Sequence, residues 1–379
     1  MRIALPMSIV SPWSIEVALR LTELGNEVHV IDFHFPHKTS NGYLKTIETI
    51  PSATHLAKKV KMHFIKTVIN HKTRYIIYAH KLKKLFHQYK IESVLVLSAG
   101  GFAAMTYLTG FKPFTIYTTG SDVLLSDGFT RLITKHILRS ANAIIANGRY
   151  LAEKTEEMCG RRDIASLYMG VDTERFAPAK ENVGNIQIIA PRGFLPIYNN
   201  EYLIQALALL PESLPLERVV FPSSGPDLAR VKLLADQILP SHMKARVSFY
   251  GGVSDENMMH SLRESSIYVS LSRSDGTSIS TLEALAGGLF PVLSDIPQNR
   301  EWIESSKLNG ILVPFDQPHV LASALQCAIL DGAMRKKAKS INRAMILERA
   351  DGRQNMAFLS RRLEDILLTY KKKATDRYR

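Results

Sequence analysis

The sequence predicts an α/β protein built from two doubly wound parallel sheets. Apolar, β-branched runs that are typical of buried strands alternate with amphipathic helical stretches, and this alternation occurs in both halves of the chain. A length of 379 residues exceeds one ordinary core and favours two domains. The polar, loop-like stretch FAPAKENVGN separates the halves, so the predicted boundary lies near residues 180–185.

The strands are predicted where short apolar runs stand between turn signals. In the first half these runs are residues 3–5, 28–33, 94–98, 114–118 and 143–146, and in the second half 186–190, 219–222, 247–250, 267–271 and 291–293. Helical patterns separate them, such as residues 15–24 before Gly25 and residues 201–210 before Pro211. Because open α/β sheets bind ligands at the carboxyl ends of their strands, the two sheets are expected to face a central cleft.

The positive charge of the chain is unevenly distributed. The formal net charge is +13, but residues 1–180 hold 24 Lys+Arg against 14 Asp+Glu, whereas residues 181–352 hold 16 against 18. The tail, residues 353–379, holds 8 against 3. This asymmetry favours an anionic surface that faces the first half. The apolar runs are shorter than the ~20 residues needed to span a bilayer, and the only cysteines, Cys159 and Cys327, lie far apart, which favours the reducing cytoplasm.

The segment SRSDGTSISTLEALAGG, residues 272–288, lies between two strand-like runs. We expect a loop after the first strand, with Thr277 as the N-cap of a helix over residues 278–286. The free N–H groups at the start of such a helix favour a phosphate or diphosphate. Glu283, in the helix, can reach the hydroxyls of a ribose, and Asp275, on the loop, can reach the hydroxyls of whatever the diphosphate carries. This combination predicts a nucleotide-sugar site.

Two acids at this spacing also occur by chance, so other segments of the chain are needed to decide whether they form a functional site. The accompanying segments are TTGSD (118–122), GVDTERFAP (170–178), SSGPD (223–227), VSFYGGVSDENM (247–258) and NGILVP (309–314). Together with residues 270–292, they resemble glycosyltransferase family 4 and its D/E-x7-E motif over nearly the whole chain. The resemblance implies the GT-B fold, in which two Rossmann-like domains face a central cleft. We therefore expect an acceptor-side domain over residues 1–182, completed by a returning helix over about 355–379, and a donor domain over residues 183–354.

The resemblance also implies roles for individual residues. Asp275 would contact the hydroxyls of the donor sugar, Glu283 would bind the ribose, and Arg192 matches the phosphate-binding arginine of the family. Asp275 and Arg192 are thus the candidate catalytic residues. Thr119 and Gly120 match the donor-sugar side of the first domain. The other donor-binding candidates supply backbone N–H groups or the loop that binds the base: Tyr250, Gly251, Val253, Gly276, Thr277 and Ser278.

Several positions depart from the family pattern. The family usually has a lysine five or six residues after its arginine, but here those positions are Ile197 and Tyr198. Neutralisation of the diphosphate is therefore expected to rest on Arg192 and backbone dipoles. Thr119 stands where the family has a histidine. No D-x-D pair occurs, so no metal ion is expected. Retaining members of the family are generally thought to use the leaving diphosphate as the base, so these departures leave the reaction in place.

Residues 55–90 contain ten Lys+Arg and no acid. Apolar residues recur among them at spacings of three and four, as in basic amphipathic helices that lie on anionic membranes. The alternative is a helix that packs on its own sheet while its lysines merely face water. We expect membrane contact, and no nucleic-acid-binding motif accompanies the charge. The lysines expected to face the membrane are Lys58, Lys59, Lys61, Lys81, Lys83 and Lys84.

These observations predict a cytoplasmic glycosyltransferase that is peripheral on the inner face of the cytoplasmic membrane. It would move a sugar from a nucleoside diphosphate sugar to a lipid-linked or cell-surface glycan acceptor, with retention of the anomeric configuration and without a cofactor. Two alternatives stay open, a catalytically silent GT-B subunit that binds a partner at the membrane, and a GT-B sugar epimerase or phosphorylase. Donor-dependent release of nucleoside diphosphate would distinguish an enzyme from the silent subunit.

Overall fold

The computed structural model describes residues 1–9, 11–34, 58–66, 74–178, 186–304, 306 and 308–376. The chain divides into two compact units, one formed by Met1–Tyr168 with Arg353–Arg379 and the other by Met169–Gly352. Within the described residues, each unit has one parallel sheet with helices packed on it. The predicted α/β class is therefore confirmed.

The first unit has seven strands among its described residues, and all their pairings are parallel. They are β1 (Arg2–Pro6), β2 (Glu27–His34), β3 (Lys61–Lys66), β4 (Ser93–Val96), β5 (Phe114–Thr118), β6 (Ala143–Ala146) and β7 (Ala165–Ser166), in the sheet order β3-β2-β1-β4-β5-β6-β7. The helices are α1 (Pro12–Glu23), α2 (Arg74–Gln88), α3 (Gly101–Leu108), α4 (Ser121–Leu124), α5 (Gly128–Ser140) and α6 (Arg149–Cys159). One apolar core joins α2, α3, α5 and α6 to the same face of this sheet.

The second unit repeats the arrangement with six parallel strands in its described residues. These are β8 (Ile186–Ile189), β9 (Leu216–Phe221), β10 (Val247–Phe249), β11 (Ile267–Ser270), β12 (Phe290–Ser294) and β13 (Ile311–Val313), in the order β10-β9-β8-β11-β12-β13. A 3-10 turn, Pro196–Tyr198, follows β8. The helices are α7 (Asn200–Leu207), α8 (Leu228–Ile238), α9 (Ser241–Lys244), α10 (Asp255–Glu264), α11 (Ile279–Ala286), α12 (Pro297–Arg300), α13 (Pro318–Leu330) and α14 (Gly332–Arg349). The chain winds outward from β8 in both directions, which makes the unit doubly wound.

The last helix, α15 (Gly352–Asp376), packs on the first unit. Asn26 Nδ2 donates a hydrogen bond to Ser360 Oγ (2.9 Å), and Lys371 Nζ lies 3.1 Å from Glu92 Oε1. A returning helix is what the sequence predicts for residues 355–379. In the described residues, no helix combines the length and the apolar character needed to cross a bilayer.

The division between the units falls after Tyr168, earlier than the boundary expected at 182/183. The segment that follows Tyr168 is bonded to the end of the second unit. Val171 N donates to Ala350 O (3.0 Å), and Thr173 Oγ1 donates to Asp351 Oδ2 (2.5 Å). The loop-like composition on which the expected boundary rests belongs largely to residues 179–185, which lie outside the described residues.

The structure corrects the helical interpretation of part of the basic stretch. Residues Lys61–Lys66 form β3, an edge strand whose register with β2 runs from His29 opposite Lys61 to His34 opposite Lys66. Pairing with a strand that is distant in sequence supplies the backbone hydrogen bonds of β3, and a local apolar periodicity does not reveal such pairing. The helical interpretation holds for α2, and residues 55–57 and 67–73 lie outside the described residues.

Candidate functional site

The residues predicted to bind a donor follow the strands of the second sheet. Arg192 follows β8, Tyr250 follows β10 and Asp275 follows β11. Because the carboxyl ends of parallel strands meet at one edge of a sheet, their loops converge there. The loops after β8 and β9 are in direct contact, since Phe194 N donates to the carbonyl oxygen of Ser224 (3.1 Å). This edge of the sheet is the candidate site.

Helix α11 begins one residue later than the sequence predicts. Its N-cap is Ser278 rather than Thr277, and the Ser278 Oγ accepts a hydrogen bond from the N–H of Thr281 (3.4 Å). Serine and threonine are both good N-caps, so adjacent Thr277 and Ser278 cannot be separated by residue type. The first turn of α11 presents N–H groups without intrahelical acceptors at the loop edge, where they favour an anion.

Arg192 is held by an ion pair and by the start of α11. Its Nη2 donates to Asp275 Oδ2 (2.7 Å) and its Nη1 to Ser278 Oγ (2.7 Å). The side chains of Arg192 and Asp275 are only 14% and 20% exposed. The ring of Tyr198 covers the guanidinium, whose central carbon lies 4.2 Å from the ring centroid. Among the described residues, the buried Nε of Arg192 has no hydrogen-bond partner. A fixed guanidinium with a donor that lacks a partner can donate a further hydrogen bond to an anionic oxygen.

Asp275 sits in a desolvated environment. Burial raises the pKa of its carboxyl above the ordinary value, although the Arg192 guanidinium and the N–H of Gly276 both oppose the shift. The Gly276 N–H, predicted to face a diphosphate, is thus directed to Asp275. Asp275 therefore fixes both the arginine and the loop, and its remaining acceptor capacity is available to hydroxyl donors.

Glu283, in the second turn of α11, is partly buried, and its side chain makes no hydrogen bond or ion pair with the described residues. Burial raises the pKa of its carboxyl to about 7, with Arg175 lowering it and Asp255 raising it further. Glu283 lines a cavity of about 510 Å³ together with residues of α10, α14 and the segment around Arg175. This cavity extends to the amino ends of β8, β11 and β12, and the described residues that line it do not include Arg192 or Asp275. A desolvated carboxylate that lacks a partner in the described structure is suited to accept hydrogen bonds from a ligand.

The loop predicted to bind the base extends from β10. Tyr250 N donates to Phe221 O (3.0 Å), and Tyr250 is 44% exposed. Gly251 (φ +75°) adopts the left-handed conformation that glycine allows, and Val253 is half-buried. An exposed aromatic ring at the loop edge is compatible with stacking on a base, and the role of this loop stays a prediction.

Thr119 and Gly120 lie in the first unit, directly after β5. Their backbone N–H groups donate to Asp122 Oδ1 (3.2 and 2.9 Å), and Asp122 Oδ2 also accepts from Ala99 N (2.7 Å). Asp122 thereby ties the loop after β5 to the loop after β4. The N–H groups of Thr119 and Gly120 serve this internal contact, and their assignment to the donor sugar stays a prediction.

Of the lysines predicted to face a membrane, two form ion pairs with acids of other elements. Lys59 Nζ lies 3.5 Å from Glu23 Oε1, and Lys61 forms an ion pair with Glu27. Acids from α1 and β2 therefore neutralise part of a stretch that contains no acid of its own. The remaining predicted residues are exposed in the described structure: Lys58, Lys81, Lys83 and Lys84.

Sequence reasoning missed several residues around Arg192. Ser280 Oγ lies 3.4 Å from Arg192 Nη1 and 3.0 Å from the hydroxyl of Tyr268. Arg273 donates its backbone N–H to Ile197 O (2.8 Å), and its guanidinium pairs with Asp316 (2.7 Å). The position of Arg273 just before Asp275 is the one signal that could have identified it. In the described ranges, no group of three or more His, Cys, Asp or Glu is arranged to hold a metal ion.

Comparison with curated proteins finds relatives that match part of the chain. The putative glycosyltransferase EpsD of Bacillus subtilis (strain 168) is 26% identical over 219 residues, which cover 52% of this chain and 56% of EpsD. A GDP-mannose:cellobiosyl-diphosphopolyprenol alpha-mannosyltransferase of Xanthomonas oryzae pv. oryzae (strain PXO99A) is 30% identical over 134 residues, 35% of each chain. The matches thus span about half and about a third of these relatives.

Solved structures and family models cover more of the chain. HepE of Anabaena, in complex with UDP-glucose, superposes with a TM-score of 0.76 at 13% identity, covering 97% of this chain and 100% of HepE. Residues 13–175 match the model of Glycosyltransferase Family 4, and residues 171–345 match that of Glycosyl transferases group 1. The two family models match consecutive parts of the chain, in the same order as the two units. The chain therefore carries a Glycosyltransferase Family 4 domain followed by a Glycosyl transferases group 1 domain, and it has the GT-B fold.

Proposed function

We propose that this protein transfers a sugar from a nucleoside diphosphate sugar to a lipid-linked or cell-surface glycan acceptor, with retention of the anomeric configuration. The observation that carries the proposal is the Arg192 guanidinium, which is buried and bonded to Asp275 and Ser278, and whose Nε has no hydrogen-bond partner among the described residues. This arrangement lies at the first turn of α11, where N–H groups also favour an anion. Both features suit the diphosphate of a sugar donor.

The relatives with known donors support this substrate class. The Xanthomonas relative is named for GDP-mannose and a diphosphopolyprenol-linked acceptor, and HepE is described with UDP-glucose. The two donors, GDP-mannose and UDP-glucose, differ in both the base and the sugar. Uridine and guanosine diphosphate sugars are therefore the first donors to test.

In this proposal, different residues of the site stabilise the leaving diphosphate, bind the transferred sugar and bind the ribose. Negative charge develops on the diphosphate as the bond to the sugar breaks, and Arg192 with the N–H groups of α11 stabilises that charge. Asp275 accepts hydrogen bonds from hydroxyls of the transferred sugar, and Glu283 accepts them from the ribose. Charge neutralisation then rests on Arg192 and backbone dipoles rather than on the missing lysine, whose place is taken by Ile197 and Tyr198.

A thermal-shift screen of nucleoside diphosphates and their sugars tests the donor half of the proposal. We expect one base to raise the unfolding temperature, and the corresponding sugar nucleotide to be turned over with release of nucleoside diphosphate when a polyprenyl-diphosphate-linked glycan is also present. Binding of a nucleotide without any turnover would instead favour the catalytically silent subunit, which Tyr198 in place of a cation already suggests. The absence of binding to every nucleotide would contradict the proposal.

The acceptor half of the proposal places the protein at the cytoplasmic face of the membrane, held by the exposed lysines of α2. Each basic residue near an anionic surface contributes about 1 kcal/mol. The double substitution Lys83→Glu and Lys84→Glu should therefore weaken sedimentation with anionic vesicles at low salt. The matched control is Lys336→Glu with Lys337→Glu, an adjacent exposed pair on α14 of the second unit. Equal behaviour of the two double variants would contradict electrostatic docking through α2.

A further inference from the structure

The outer face of α5 carries an apolar stripe. Phe129, Leu132 and Ile133 occupy positions i, i+3 and i+4 and are 74%, 64% and 41% exposed, and Leu125, just before the helix, is 54% exposed. Further along α5, Thr134, Ile137 and Leu138 are buried against the core of the first unit. The core therefore uses the later turns of α5, and the apolar residues of its first two turns stay exposed.

The stripe lies within a basic layer. Helices α2, α3 and α5 pack on the same face of the first sheet, and none of them contains an acidic residue. Arg131 and Lys135 lie on α5 itself, next to the apolar positions. On α2, Lys81, Lys83 and Lys84 point to the exterior of the same layer. Apolar and positive side chains thus share the part of this layer formed by α2, α3 and α5, whereas the neighbouring α6 carries Glu153, Glu156 and Glu157.

The combination of apolar and basic residues on this surface indicates which kind of partner it binds. Single exposed apolar residues are normal on proteins, as Leu233 on α8 illustrates at 58% exposure. A contiguous apolar stripe instead marks an interaction site. Helices that combine large apolar residues with lysine and arginine lie in the interface of anionic bilayers, where the apolar side chains enter the headgroup region and the cations meet lipid phosphates.

We propose that α5 inserts Phe129, Leu132 and Ile133 into an anionic lipid bilayer while the lysines of α2 contact the headgroups. Because α5 begins near the carboxyl edge of the first sheet, its insertion brings the loop after β5 next to the lipid surface. This inference rests on the proposed function in one respect only, namely that insertion would favour transfer to a lipid-linked acceptor. The docking itself is measurable without donor or acceptor, so its failure and a failure of transfer are distinguishable.

Fluorescence tests the insertion directly. The chain contains two tryptophans, Trp13 and Trp302, whose signal is subtracted with the unsubstituted protein. In a Phe129→Trp variant, vesicles of phosphatidylglycerol and phosphatidylethanolamine should shift the added emission to shorter wavelength, and brominated acyl chains should quench it. A Leu233→Trp variant is the matched control and should show neither effect. Unshifted and unquenched emission of the Phe129→Trp variant on bound vesicles would overturn the proposal.

Salt separates insertion from plain electrostatic attraction. At about 1 M salt the Debye length is about 3 Å, so attraction between lysines and lipid is screened. The unsubstituted protein should keep measurable vesicle binding under these conditions, and Leu132→Glu should lower it by about tenfold or more, whereas Leu233→Glu should not. Equal unfolding temperatures of the two variants exclude misfolding. If Leu132→Glu leaves vesicle binding unchanged but splits a dimer in light scattering, the occupant is a second copy of the chain, and the bilayer proposal is overturned.

Discussion

Replacing Glu283 by glutamine should make the ligand-free protein more stable above neutral pH and should lower its affinity for the nucleotide. The carboxyl of Glu283 is desolvated and has no hydrogen-bond or ion-pair partner among the described residues, and burial raises its pKa from 4.5 to about 7. The folded state therefore holds the proton more tightly than the unfolded chain does. The corresponding stability is present below about pH 4.5 and is lost as the pH rises through about 7.

The size of this effect follows from the shift in pKa. One pKa unit corresponds to about 1.4 kcal/mol, so a rise from 4.5 to about 7 means that ionising Glu283 in the folded protein costs at most about 3.5 kcal/mol. A domain of this size changes its unfolding temperature by about 2–4 °C for each kcal/mol. The glutamine side chain carries no charge at any pH, so the advantage in unfolding temperature of Glu283→Gln over the unsubstituted protein should be absent near pH 4.5 and approach about ten degrees near pH 8.

Nucleotide binding should respond in the opposite direction. Hydroxyls of a ribose donate to the ionised carboxylate, so the affinity of the unsubstituted protein for nucleoside diphosphate should rise from about pH 6 to about pH 8. Glutamine keeps an acceptor but loses the charge, which should weaken binding by about tenfold and remove most of the pH dependence.

Thermal unfolding and titration calorimetry across this pH range check both parts. The control is Glu264→Gln, an exposed glutamate on α10 of the same unit, which should change neither property. If Glu283→Gln and Glu264→Gln unfold alike at every pH and bind nucleotide equally well, Glu283 does not face the ligand, and the reasoning from its burial is wrong.

Three further predictions concern the charges around the diphosphate. Asp275→Asn keeps an acceptor for the Arg192 guanidinium, so nucleoside diphosphate affinity should change little while sugar transfer, measured by initial rates, falls by about tenfold or more, equal to about 1.4 kcal/mol; equal losses in both would reverse the assignment. Arg192→Lys cannot bond Asp275 and Ser278 together, so calorimetry should find about tenfold weaker nucleoside diphosphate binding, unlike the exposed control Arg218→Lys. Transfer should persist in excess EDTA, and complete loss that added divalent ion restores would contradict neutralisation by Arg192.

The alternation of strands and helices was predictable because buried parallel strands are continuous apolar runs that local sequence reveals. The edge strand Lys61–Lys66 was not, because an edge strand is held by pairing with β2 rather than by its own apolar pattern. The neutralisation of Lys59 and Lys61 by Glu23 and Glu27 was hidden for the same reason. Contacts between elements that are distant in sequence thus decided both corrections.

The residues of the candidate site were predictable from the family resemblance, but their bonding was not. The sequence assigned Arg192 to the diphosphate and Asp275 to the sugar, whereas the structure joins the two in one ion pair. The resemblance also included positions whose role is packing. A Cβ on Gly170 would lie 2.8 Å from Ala350 O, and one on Gly310 would lie 2.7 Å from Pro291 Cγ. Motif similarity therefore identifies important positions without separating binding from packing.

The central claim is that the loop edge of the second sheet binds a sugar donor and releases its diphosphate. The most direct measurement incubates the purified protein with UDP- and GDP-linked hexoses and a polyprenyl-diphosphate-linked glycan, and follows nucleoside diphosphate release together with the anomeric signal of the product by NMR. The account predicts release that depends on both donor and acceptor, with the anomeric configuration of the donor retained, and loss of both signals in Arg192→Ala. Transfer that continues undiminished in Arg192→Ala, or a product of inverted configuration, would contradict it.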